Sequence, residues 1–432
     1  MDRIRNLAAL FRAQLWPVPA VFIVAAGLLA YLLLEYGATL GTDGHWWLYS
    51  GDAATARDLL GSLLSGLMTM TSLVVSVTFV ILTLAANQLG PRLIAIFMAD
   101  RQIQSVLGLF IGTILYVILV SRTLNDALGT DGVPHLAVSA ASSLTILCLL
   151  ALLFYIHKVA RLIIADNVVE TVARELRATL GAILPDGRQA ERPVPPGLAA
   201  GAGIDLSIGT PGYVQVIDYD ALKAVAADAD IVMVVHVRAG HHVLGEGSHV
   251  SVHGTAKLSD ERADAVRAAF TVGSERTPAQ DPEHGIRQMV EIATRALSPG
   301  TNDPFTAIAV IDRLGPALED VIRFGTQPRA LFGDENALRI LANRSDLPGI
   351  LAAALHPIRQ AGANHPAILI RLARLLGDLA YVAPARDEPS LRAQLARLRE
   401  TLDTGDFPPV DRGDVASSLD DAGRRLDAIR RA

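Results

Sequence analysis

Four apolar runs, at 18–34, 59–86, 103–120 and 136–155, each reach the length that crosses a hydrocarbon core. A chain carrying them cannot hide them all in a water-soluble interior, and in lipid a lone segment satisfies its backbone only as a helix. The expected fold is an α-helical membrane protein with four transmembrane helices. Composition agrees: hydrophobic residues reach 51% and charged residues only 19%. The first run is followed by Glu35, Tyr36 and Gly37 rather than by a small-residue cleavage site, so it reads as a retained anchor.

Lysine and arginine in the short flanks set the orientation. Arg3, Arg5 and Arg12 precede the first span, Arg92 and Arg101 separate the second and third, and Lys158 and Arg161 follow the fourth. The two other loops hold Arg57 and Arg122 among Asp43, Asp52, Asp58, Asp126 and Asp131. Both termini are therefore expected in the cytoplasm. Trp16, Trp46 and Trp47 fall where indole rings mark interfaces. A net charge of −6 offers no general attraction to nucleic acid, and a single cysteine, Cys148, excludes an intrachain disulfide.

The second span carries hydroxyls at Ser62, Ser65, Thr69, Ser72 and Ser76, and the same helix face continues to Thr83 and Asn87. Two uses compete. Small hydroxylated residues let helices pack closely and bond back to their own carbonyls; alternatively, copies of this span surround an axis and line a polar path. No Asp, Glu, Lys or Arg lies well inside a span, which argues against a proton relay or a voltage sensor. Gly108-x-x-x-Gly112 in the third span allows close backbone approach, expected within one subunit. Residues 87–98 read as an amphipathic segment along the inner interface.

Four regions follow: a transmembrane domain at 1–160, a connecting helix and linker at 161–203, a small β module at 204–257 and a helical domain at 258–432. In the module, residues 212–218 and 230–237 form β-branched strands around an alanine-rich helix, with a third strand at 248–253. Glycines at 240, 245 and 247 suit tight turns. The pattern is like small barrel–sandwich modules that carry biotin or lipoate, but no lysine is displayed on a hairpin, so no cofactor is expected. His236, His241, His242, His249 and His253 cluster without an accompanying carboxylate or cysteine at ligand spacing, so no metal is expected either.

Beyond Ser259 the pattern reads as helical to the end, including a segment near 335–342. Within the most distinctive stretch, Ile286, Met289, Val290, Ala293 and Leu297 form an apolar stripe, and Arg287, Glu291 and Arg295 mark the opposite face. Pro299 and Gly300 end one helix, and Asp303 with Pro304 begins the next. Arg276, Gln280, Asp281, Glu291, Arg295, Asn302 and Asp303 concentrate hydrogen-bonding capacity here, as a rigid junction or as a ligand or coupling site.

The runs SVTFVILTLAANQLGPRLIAIFMADRQIQSVLGLFIGTILYVILVSRT, GYVQVIDYDAL and ERTPAQDPEHGIRQMVEIATRALSPGTNDPFTA resemble the bacterial predicted membrane proteins grouped as DUF2254. That resemblance implies a multi-pass protein of the inner membrane and assigns no catalytic residues.

The expectation from these features is a homo-oligomeric ion or small-solute channel with a cytoplasmic regulatory domain, its partners being the bilayer and further copies of itself. The alternative is a membrane-anchored sensor or scaffold that transports nothing. An enzyme is not expected: Ser298, Asp303, His284 and Glu291 supply acid–base groups, but there is no G-x-S-x-G, H-E-x-x-H, Walker loop or G-x-G-x-x-G.

Overall fold

The computed structural model describes residues 16–36, 48–89, 100–124, 133–162, 165–188, 203–254, 258–333 and 336–429, with side chains for all of these except 84–89, 159–162 and 165–166. Trp46, Trp47, Arg3, Arg5, Arg12, Arg92, most of the amphipathic segment and most of the linker lie outside the described residues. The described residues form two compact units, one up to 162 and one from 165 onward.

The first unit holds the four apolar helices: α1 (Pro17–Tyr36), α2 (Ala53–Leu89), α3 (Arg101–Thr123) and α4 (His135–Leu162). All four are long and apolar enough to cross a membrane. α3 is central, packing against each of the others. Its Gly108 and Gly112 lie against Pro19, Phe22 and Ala26 of α1, so the glycine pair serves packing within one chain, as its sequence suggests. Asp100 caps α3 by accepting from the Gln102 and Ile103 amides, and also pairs with Lys158 of α4 at 2.7 Å. Two buried tyrosines of this unit are matched: Tyr116 donates to the Ala137 carbonyl at 2.9 Å, and Tyr155 donates to the Val74 carbonyl at 3.2 Å.

The second unit is mixed and mostly helical. After α5 (Ala165–Ile183) come β1 (Ile204–Leu206), β2 (Gly212–Ile217), α6 (Tyr219–Asp228), β3 (Val232–Val235), β4 (His242–Val243), β5 (Val250–His253), α7 (Asp260–Ala268) and β6 (Phe270–Gly273). Then follow α8 (Glu283–Ala296), α9 (Pro304–Phe324), β7 (Ala330–Phe332), β8 (Leu338–Ala342), α10 (Leu347–Ala361), α11 (Pro366–Leu379), α12 (Glu388–Thr404) and α13 (Pro409–Ile429). One sheet has the order β1-β5-β3-β8-β7 and the other β4-β2-β6. Both sheets and helices α6 and α7 share a core that includes Val214, Leu222, Met233, Val252, Val266 and Ile340.

Two expectations are corrected here. The region after Ser259 is not helical throughout, because it supplies three strands; and the segment read as a helix near 335–342 contains β8 instead. Leu338-Arg-Ile-Leu-Ala alternates well enough for a strand: Ile340 and Ala342 are buried, and β8 pairs in parallel with β3, Met233 opposite Ile340. A run of five residues shows too little of either period to separate helix from strand.

The helical part obeys its punctuation. All five residues of the apolar stripe on α8 are buried. Asp303 caps α9 with Pro304 as its first residue, and Asp346 caps α10 in the same way with Pro348 in its first turn. α5 joins this unit, packing on α8 and α9, with Arg313 reaching Glu170 at 2.8 Å and Arg177 reaching Asp320 at 2.9 Å.

Candidate functional site

Two groupings of polar side chains survive in the folded chain. The first is the hydroxyl face of α2. On the opposite face Ala53, Leu60, Leu67, Val74 and Ile81 recur every seven residues and are buried, the seam by which α2 packs on its neighbours. Ser62, Ser65, Thr69, Ser72, Ser76 and Thr83 are all exposed, and Asn87 lies where side chains are not described. Thr69 and Thr83 donate to carbonyls one turn back, at 3.0 and 2.9 Å. The hydroxyls of Ser62, Ser65, Ser72 and Ser76 find no partner among the described residues. A Cβ at Gly61 or Gly66 would meet open space.

The second grouping is built where the β3–β4 connection, the segment before α8 and the segment after β8 converge. Gln280 takes the place of a strand neighbour at the end of β2: its side-chain oxygen accepts the Ile217 amide at 2.9 Å and its nitrogen donates to the Ile217 carbonyl at 3.1 Å. Arg276 grips one oxygen of Asp281, Nη2 to Oδ2 at 2.8 Å, while Oδ1 accepts the Glu283 amide at 3.0 Å. Glu283, 2% exposed, accepts from Arg238 at 2.5 Å, Ser345 at 2.9 Å and Arg287 at 2.9 Å. Gly240 lies under the Arg276–Asp281 pair with φ of 88°, and a Cβ there would collide with both side chains.

Electrostatics within the cluster follow burial and charge. Desolvation pushes the Asp281 carboxyl above the usual carboxylate range against the pull of Arg276. Desolvation acts on Glu283 too, but there the hydrogen bond from Arg287 and the charge of Arg238 prevail and its pKa falls. Burial, then the charge of Arg238, depresses His241. The arrangement is a clamp of alternating charges.

Of the seven residues expected to act together, Arg276, Gln280 and Asp281 do converge. Glu291 and Arg295 pair with each other on α8 at 3.6 Å. Asn302, at φ of 48°, and Asp303 form the turn beyond its far end, about 20 Å along a 14-residue helix. Arg238, Gly240, Glu283 and Ser345 were not singled out from sequence as coupling residues. Glu283 sat visibly in the motif, but only the fold brings Arg238 and Ser345 to it.

The histidines disperse. His249 Nδ1 accepts the Ile208 amide at 3.1 Å, His236 bonds Ser251 at 2.7 Å, and His242 meets the Tyr213 ring edge-on. Among the described residues, no three His, Cys, Asp or Glu side chains are grouped to hold a metal.

A sequence profile of the family described as "Predicted membrane protein (DUF2254)" matches residues 12–378, well over half of the chain. Two relatives, the uncharacterized proteins Mb1321c of Mycobacterium bovis and Rv1290c of Mycobacterium tuberculosis, are each 28% identical over 445 residues, covering 100% of this chain and 84% of theirs. No solved structure matches.

Proposed function

We propose, for a chain that belongs to the DUF2254 family of predicted membrane proteins, a homo-oligomeric ion or small-solute channel of the bacterial inner membrane, with both termini in the cytoplasm. One observation carries this reading: four serine hydroxyls on one face of α2 are exposed and unpartnered, whereas tyrosines buried in the same unit are matched. A hydroxyl facing lipid gives up its hydrogen bonds with water, and copies of α2 around a wet axis restore them. In this reading the barrel–sandwich-like β module and the Arg276–Asp281 and Glu283 clamps regulate rather than catalyse, tying the module to α8.

A second reading, an anchored sensor or scaffold without transport, is favoured by Thr69 and Thr83, whose back-bonding shows how the serines too could be satisfied by rotating in place. Ion flux into liposomes separates the two. A channel gives flux that Ser72→Leu abolishes or alters; a scaffold gives none across several ions, and the leucine variant then retains whatever binding the rest of the chain performs.

A further inference from the structure

Helices α10 and α12 pack side by side in the C-terminal part of the second unit. Their shared edge is unusually basic. His356 and Arg359 occupy one face of α10, one turn apart, and Gln394, Arg397 and Thr401 occupy the matching face of α12. Gln394 and Thr401 are 6% and 7% exposed, His356 and Arg359 are half-buried, and Arg397 is exposed.

This edge lacks a counter-charge. On the neighbouring helices Arg392 bonds Glu388 and Asp427, Arg399 bonds Asp420, and Arg425 bonds Asp378, while Arg344 and Arg412 bond Gln327 and backbone carbonyls instead. Among the described residues no carboxylate pairs with Arg359 or Arg397. Arg359 spends one nitrogen on the Thr401 hydroxyl at 2.6 Å, and its buried Nε has no partner. The buried Nε2 of His356 has none either. Burial, the charge of Arg397 and then that of Arg359 hold the His356 ring toward its neutral form, opposed by the Gln394 side chain within hydrogen-bonding reach of the ring. Two unpartnered nitrogens within a cluster of three basic side chains are costly unless an anion completes them.

We infer that the α10–α12 edge is a binding site for a phosphoryl group, held by His356 and Arg359 from α10 and by Arg397 from α12. A tetrahedral oxyanion suits donors arriving from two helices, because its oxygens point in several directions and guanidinium groups bond them in a fixed fork. Arg397, at the solvent edge, marks the side of entry. The phosphoryl group belongs either to a soluble metabolite or to a lipid headgroup. The inference stands apart from the channel reading, since it rests on none of the α2 face.

Calorimetric titration of the full chain in neutral detergent tests it, with inorganic phosphate in one arm and phosphatidic acid dispersed in the same detergent in the other. Arg397→Gln is the principal variant because that side chain is exposed and its loss leaves the core intact; Arg359→Gln is the second, and Arg399→Gln, on the same helix but paired with Asp420, is the control. Phosphate binding that weakens about 10-fold or more in the first two variants and persists in the control supports a site for soluble phosphoryl compounds. The same dependence seen with phosphatidic acid alone supports a headgroup site. Absence of binding in both arms, or binding that Arg397→Gln leaves unchanged or that Arg399→Gln weakens equally, overturns the inference.

Discussion

At the scale of single residues, the junction before α8 is the most exacting part of the chain. Gly240→Ala places a methyl group against Arg276 and Asp281 and forces a side chain into the left-handed region, which should cost about 2–4 kcal/mol in unfolding experiments. Glu283→Gln removes the charge that Arg238 and Arg287 share and should cost about 3–5 kcal/mol, whereas Glu291→Gln on the outer face of the same helix should cost under about 1 kcal/mol. His249 supplies a pH signature. Its Nδ1 accepts a backbone amide, and burial lowers its pKa, so the unfolded chain takes up its proton first. Stability should be complete above about pH 6.5 and decline as pH falls from there toward the lowered folded value. His249→Asn, which keeps an acceptor but cannot titrate, should reduce the fall in thermal-melt midpoints between those limits, the remainder coming from His241 and His356, whose pKa values are also lowered.

At the scale of elements, periodicity told most of what could be told. Long apolar runs announced α1 to α4, and Asp303-Pro304 announced the start of α9, because these signals sit entirely within one element. β8 was misread because five residues carry little period and its identity depends on pairing with β3. The site divided in the same way: the Gln280 and Asp281 contacts lie close to a motif already conspicuous, while Arg238 and Ser345 reach Glu283 from 45 and 62 residues away, a convergence that composition and spacing do not encode. The Gly108 and Gly112 contacts with α1 give an element-scale test. Gly112→Leu should prevent α1 from seating on α3 and lower the melting temperature in detergent, while Gly61→Leu, facing open space in one chain, should leave the isolated subunit as stable as before.

At the scale of the whole molecule, an assembly of α2 copies, as proposed above, is what Gly61→Leu and Ser72→Leu should disturb. Single cysteines at Ser65 or Ser72 should cross-link between copies in native membranes if the hydroxyl face meets its own kind, and Cys148, being buried, leaves that background silent. Absence of cross-linking at both positions, with the protein correctly inserted, would count against an assembly built on α2. The parallel pairing of β3 with β8 bears on a different matter, the order in which the chain is made. Met233 and Ile340 are neighbours in space but more than one hundred positions apart, so a growing chain must hold β3 with one edge bare until β8 has left the ribosome. At ordinary synthesis rates that interval is on the order of 5–20 s, long enough for an open strand edge to recruit other nascent chains. Synthesis stalled or truncated between β3 and β8 should therefore yield aggregates rather than a folded fragment.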